Sequence, residues 1–111
     1  MKKRAIGALV ALTAGLGTFT LATPAHAGSC GQVTDAKISG GQASWAHACS
    51  GGYIRVSGWV KDTSADGKCA QVKAMYSNGT QYSAKACPSG TVKYFDFNGP
   101  GSSVPVYLFT V

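Results

Sequence analysis

Few residues in this chain could do chemistry. Its 111 residues include two histidines, His26 and His47, four cysteines, four aspartates (Asp35, Asp62, Asp66 and Asp96) and no glutamate. A serine nucleophile needs a histidine base held by an acid. Serines are plentiful, but none sits in a G-x-S-x-G elbow. A glycosidase pair would have to come from the four aspartates, and a core this small seldom leaves a cleft deep enough to raise one carboxyl's pKa. No C-x-x-C pair or other zinc-ligand spacing occurs. The run Asp62-Thr63-Ser64-Ala65-Asp66-Gly67 joins two carboxylates to a glycine. It is too short and too poor in acids for a twelve-residue calcium loop, and its Asp and Gly suit plain turn geometry. Asn78-Gly79-Thr80 fits a glycosylation sequon but reads as turn chemistry. The expectation is a protein that is not an enzyme and uses no metal or cofactor.

The elements that would carry any other function begin after residue 27. Lys2, Lys3 and Arg4 precede a mostly apolar stretch, and the small-x-small triplet Ala25-His26-Ala27 follows it. That order is a cleavable secretory signal peptide over residues 1–27. The apolar stretch is diluted by glycine and threonine, whereas a spanning helix needs about 20 strongly apolar residues. No membrane span is expected, and the product is secreted. Removing 27 of the 111 residues leaves 84, a single domain over residues 28–111. At that size the core is marginal, and an even count of cysteines in an exported chain reads as two disulfides. The precursor carries a net charge of +6, and loss of Lys2, Lys3 and Arg4 leaves +3. The remaining charges are scattered, with no basic stripe of the kind a nucleic-acid binder shows. A monomer is expected.

The mature chain has no sustained helical period. Short alternating runs are broken by glycine-rich turns, which predicts strands over about residues 32–39, 42–50, 53–60, 68–76, 80–87, 91–98 and 104–111. Seven short strands indicate an all-β antiparallel sandwich or small barrel. Ile54, Val56 and Val60 share one face of their strand with Gly58, and Val104, Val106 and Leu108 share one face of the last; both faces are predicted core. Around Asn78-Gly79, a three-residue loop pairs Tyr76 with Thr80. Ala70, Val72, Ala74 and Tyr76 then face the same way as Ala86, Ala84, Tyr82 and Thr80. That register sets Cys69 opposite Cys87, at a separation a disulfide bridges. Cys30–Cys49 follows by elimination.

Aromatic residues are abundant, and several fall opposite the predicted core. Tyr53 and Trp59 flank Arg55 and Ser57 on one strand, and Trp45 lies on the strand before it. Exposed Trp, Tyr and Arg are the usual anchors of a recognition surface. The predicted binding patch is therefore Trp45, Tyr53, Arg55 and Trp59.

The segment Asp62-Thr63-Ser64-Ala65-Asp66-Gly67-Lys68-Cys69-Ala70-Gln71-Val72, with Ala86-Cys87-Pro88-Ser89-Gly90-Thr91, resembles small secreted actinobacterial proteins of β-sandwich type. Most of these have no assigned activity, and the likeness covers about the last 60 residues. The run Asp66–Gln71 and the Cys69-to-Cys87 spacing are also similar to the tendamistat-type α-amylase inhibitors. Those proteins are small, exported and all-β, with first-to-second and third-to-fourth cysteine bridges. They inhibit through a Trp-Arg-Tyr triplet between the first two cysteines; here that place holds Ser44-Trp45-Ala46-His47, and only Trp45 matches. The resemblance implies Trp45 as a contact. The functional expectation is a secreted, non-catalytic binding protein, an inhibitor of or recognition module for an extracellular hydrolase or a polysaccharide. The alternative is an antimicrobial or toxin-like protein acting on competing cells, which a modest positive charge suits.

Overall fold

The computed structural model describes residues 25–111. Residues 1–24, and with them most of the expected signal peptide, lie outside the described residues. Eight strands follow in order: β1 (Ala25–Ser29), β2 (Val33–Ile38), β3 (Gly41–Ser50), β4 (Tyr53–Asp62), β5 (Ala70–Tyr76), β6 (Gly79–Tyr82), β7 (Val92–Pro100) and β8 (Ser103–Thr110). The seven predicted strands are all present. The eighth, β1, uses Ala25–Ala27, residues the sequence assigns to the leader. No helix among the described residues is long and apolar enough to cross a membrane.

The strands form two antiparallel four-stranded sheets, β1-β8-β5-β6 and β2-β3-β4-β7. Period-two alternation sends one side of each strand inward. Ile54, Val56 and Val60 from β4, with Phe95 and Phe97 from β7, meet Val72 and Ala74 from β5 and Val104, Val106 and Leu108 from β8. Two glycines allow close approach, one between neighbouring strands of a sheet and one between the sheets. A Cβ at Gly58 would lie 1.9 Å from the Ser44 carbonyl oxygen and 2.7 Å from Trp45 Cα. One at Gly99 would lie 2.2 Å from Tyr76 Cδ1, so the Tyr76 ring rests on bare backbone. Tyr76 Oη then donates to the Ile54 carbonyl across the sandwich, at 3.0 Å. Burial pushes its pKa up to about 12, with a smaller contribution from the Asp96 charge.

Both predicted disulfides are present, Cys30–Cys49 and Cys69–Cys87, with Cα separations of 5.3 and 4.7 Å. Two closed bridges suit an oxidising environment. The register behind the second prediction holds at one end of the hairpin only. Ala70 pairs with Ala86 as expected and the two exchange backbone hydrogen bonds of 2.9 and 2.8 Å. Near the turn, Tyr76 pairs with Gly79 and Lys73 with Tyr82, so the loop is the two residues Ser77 and Asn78. The one-residue slip is absorbed at Ser83, in the manner of a bulge. Ser83 N donates to the Val72 carbonyl at 2.8 Å, and Ser83 Oγ accepts from Val72 N at 3.0 Å. The expected inward face is corrected accordingly: Tyr82 and Ala84 are exposed, and Ser83 is buried in their place.

Candidate functional site

The outward sides of β4 and β7 carry the best candidate. Odd-numbered residues of β4 point away from the core because Ile54, Val56 and Val60 point into it. In β7, buried Phe95 and Phe97 turn Tyr94, Asp96 and Asn98 outward. Register then aligns the two sets: Trp59 is opposite Tyr94, Ser57 opposite Asp96, Arg55 opposite Asn98 and Tyr53 opposite Pro100. Tyr94 is 80% exposed and Tyr53 50%, while Trp59 is half-buried. Six residues of strand separate Tyr53 from Trp59, about 20 Å. The rings thus mark the two ends of an open face. Beside them β3 offers only Ser44, Ala46, Ala48 and Ser50 on the outward side, which leaves that flank flat.

Arg55 occupies the middle. Its Nε donates to Asp96 Oδ1 at 2.7 Å and its Nη2 to Asp96 Oδ2, a two-pronged pair across neighbouring strands. The side chains are 60% and 51% exposed. The hydrogen bond from Arg55, and then its charge, holds the Asp96 carboxyl below its ordinary range; the hydrogen bond to Asp96 and its charge raise Arg55. Arg55 is therefore a cation neutralised by its neighbour. Next to it Ala48, Cys49, Ser50, Tyr53, Arg55 and Asn98 line a shallow depression of about 420 Å³.

Three of the four predicted contact residues, Tyr53, Arg55 and Trp59, share this face. Trp45 does not. It is 1% exposed, on the inward side of β3, where its backbone packs against bare Gly58. Trp45 therefore belongs to the core, and its contact role by resemblance to the amylase inhibitors is corrected. Tyr94 is the residue the sequence reading missed. The signal was present in Phe95 and Phe97, whose alternation turns Tyr94 out beside Trp59.

The titratable groups are occupied elsewhere. Asp35 Oδ1 accepts from Ser44 Oγ at 2.6 Å. Asp62 is buried and its Oδ1 accepts from Ser64 N at 3.1 Å, while Asp66 Oδ1 accepts from Lys68 N at 3.0 Å. Both bonds span two residues, so these carboxylates build their own turns. Asp35 and Asp96 lie on the two edge strands of one sheet, three strand spacings or about 14 Å apart. Glycosidase carboxyls stand about 5–9.5 Å apart. Among the described residues, no three of His, Cys, Asp and Glu gather as a metal site would require. The chain matches no protein-family model, no curated protein and no solved structure.

Proposed function

We propose that this is an exported, non-catalytic binding protein, and that the outer face of β4 and β7 docks a polysaccharide chain outside the cell. The observation that carries the reading is the alignment of Tyr53, Arg55, Trp59 and Tyr94 on one open, flat sheet face. A sugar ring has an apolar face of C–H groups and a polar rim. Exposed Trp and Tyr rings offer apolar area with a polar tip. The Arg55–Asp96 pair, Asn98 and Ser57 offer hydrogen-bond partners between the rings. A face about 20 Å long spans several sugar units, whereas a catalytic cleft would enclose one bond. The wide separation of Asp35 from Asp96, and the use of Asp62 and Asp66 in their own turns, support the non-catalytic part of the reading. The two bridges and the leader support export.

Cosedimentation of the secreted protein with insoluble cellulose, chitin and cell-wall glycan tests this. Binding to at least one is expected, with loss of about tenfold or more in Trp59→Ala and Tyr94→Ala. That corresponds to roughly 1.4 kcal/mol or more for each anchor. Capture of an extracellular hydrolase with no polysaccharide binding would replace the glycan by a protein partner on the same face.

A further inference from the structure

His47 presents a buried acceptor that no described residue satisfies. It lies on the inward side of β3 and is 3% exposed. Its Nδ1 is 3.1 Å from the Gln32 carbonyl oxygen. A carbonyl only accepts, so Nδ1 holds the proton and donates. In the neutral ring Nε2 is then a lone pair, and it has no donor among the described residues. Buried acceptors are normally paired, by protein or by water.

Gly28 lies against that nitrogen. A Cβ built on Gly28 would stand 1.8 Å from His47 Nε2, 2.0 Å from Cε1 and 2.7 Å from Cδ2. No other amino acid fits there without moving the ring. A small-x-small cleavage signal asks only for Ala25 and Ala27, so the glycine answers to the fold and not to the protease. Gly28 is also the residue that the sequence makes the new amino terminus.

We infer that the amino group freed by cleavage between Ala27 and Gly28 seats on His47 Nε2 as its hydrogen-bond donor. Hydrolysis by a signal peptidase adds water across the Ala27–Gly28 bond; the carboxylate leaves on Ala27 and the ammonium stays on Gly28. In the uncut chain the Gly28 nitrogen is held in a strand whose residues Ala25, His26 and Ala27 pair with Tyr107, Val106 and Pro105. Cutting removes those three rungs and leaves Gly28 and Ser29. Rotation about the Gly28 Cα–C bond then swings the nitrogen toward the direction of the built Cβ. A withdrawal of about 1 Å brings it to hydrogen-bond distance of Nε2. The terminus cannot wander, because Cys30, two residues on, is bridged to Cys49. Two residues of chain reach about 7 Å, so the amine stays at high effective concentration over its acceptor. The seat thus replaces pairing lost on processing.

The inference rests on the export reading, and its test separates the two. Mass spectrometry fixes the secreted amino terminus. Acylation near neutral pH then labels the α-amine ahead of lysines, because its pKa is lower, about 7.7–8.0. The Gly28 amine of the native protein should label several-fold more slowly than in His47→Leu. His47→Gln, which keeps an acceptor, should remain slow, and all three should label alike when unfolded. Nitrogen NMR of His47 in the unsubstituted protein provides a second readout that needs no variant. Its Nε2 resonance should differ between the refolded full chain and the processed one. A terminus other than Gly28 overturns the seat together with the cleavage assignment. A Gly28 terminus with equal labelling and an unchanged Nε2 resonance overturns the seat alone.

Discussion

The sandwich has an aromatic outer face on each side, and the two are treated differently. On the β4–β7 side, Tyr94 stands open beside the half-buried Trp59, and the cation between the rings is turned onto a carboxylate. On the β5–β8 side, Lys73 lies over Tyr107 and Phe109, with its Nζ 5.1 and 5.5 Å from the ring centroids. Lys73 pairs with Tyr107 on one neighbouring strand and with Tyr82 on the other, so it is centred in its own aromatic group. A cation over a ring is attracted to the face a ligand would use. Rings under Lys73 are satisfied within the fold, while rings whose cation is bound to Asp96 keep their faces free. Aromatic content therefore does not mark a site by itself; what the nearest charge does with the rings decides it.

Removing a bridge should have the largest effect and should separate the sides. Cys30–Cys49 spans 19 residues and Cys49 lines the depression beside Arg55. Cys69–Cys87 spans 18 residues at the other sheet's hairpin. Each double Cys→Ser change should cost about 2–5 kcal/mol by urea unfolding. Only the first should also weaken partner binding once the protein is held folded. Equal loss of binding from both would show that the two faces are not independent. Next come the anchors. Trp59→Ala and Tyr94→Ala should each weaken binding by about tenfold or more, and Tyr107→Ala and Phe109→Ala should leave it within about twofold. The reverse order would move the site to the lysine-covered face.

Much of this organisation is legible in the chain. Glycine turns and period-two alternation mark seven strands, and Phe95 and Phe97 even imply an outward Tyr94. The misplacements have local physical causes. Trp45 alternates with Ala43 and His47 on a buried side, and the small residues Ser44, Ala46 and Ala48 on the other side mark it as inward. Its nearness to Tyr53 and Arg55 in the predicted patch, and its similarity to an inhibitor motif, both point outward instead. The three-residue-loop register, which follows from the polarity of the two faces, holds only near Ala70 and Ala86, where the Cys69–Cys87 bridge ties the strands. Past that point Ser83 takes over a backbone partner with its own hydroxyl, and a one-residue slip leaves no periodic trace. The Arg55–Asp96 pair joins residues 41 apart in sequence, and nothing local to either residue announces it. The same holds for Lys73 over Tyr107 and Phe109, which requires β5 beside β8.

Smaller effects sharpen the contrast between the two cations. Lys73→Ala removes a partly exposed cation–π contact, worth about 0.5–1 kcal/mol. The variant should lose stability in that range and expose Tyr107 and Phe109. If it then gains affinity for the polysaccharide, Lys73 was masking a second site.

The smallest effect is the acid response of the other cation. Because Arg55 lowers the Asp96 pKa from its ordinary 3.8, the pair stabilises the fold fully above the ordinary carboxylate range. That contribution is lost as pH falls through the lowered value, below about pH 4. Both groups are exposed, so the stability change is slight and screened by salt. The unfolding midpoints of the natural protein and Asp96→Asn should differ above about pH 5 and converge in acid. Protonation also releases Arg55 onto its open face, while the Lys73 face offers Gln71, Met75, Thr80, Tyr82, Tyr107 and Phe109 and, among the described residues, no carboxyl. Partner binding should therefore change as the pH falls below about 4 in the natural protein. In Asp96→Asn it should already sit at its acid value at pH 7. A midpoint difference that persists to pH 2 would show that Asp96 acts through packing and not through its charge, and Arg55 would then be as fixed on its face as Lys73 is on the other.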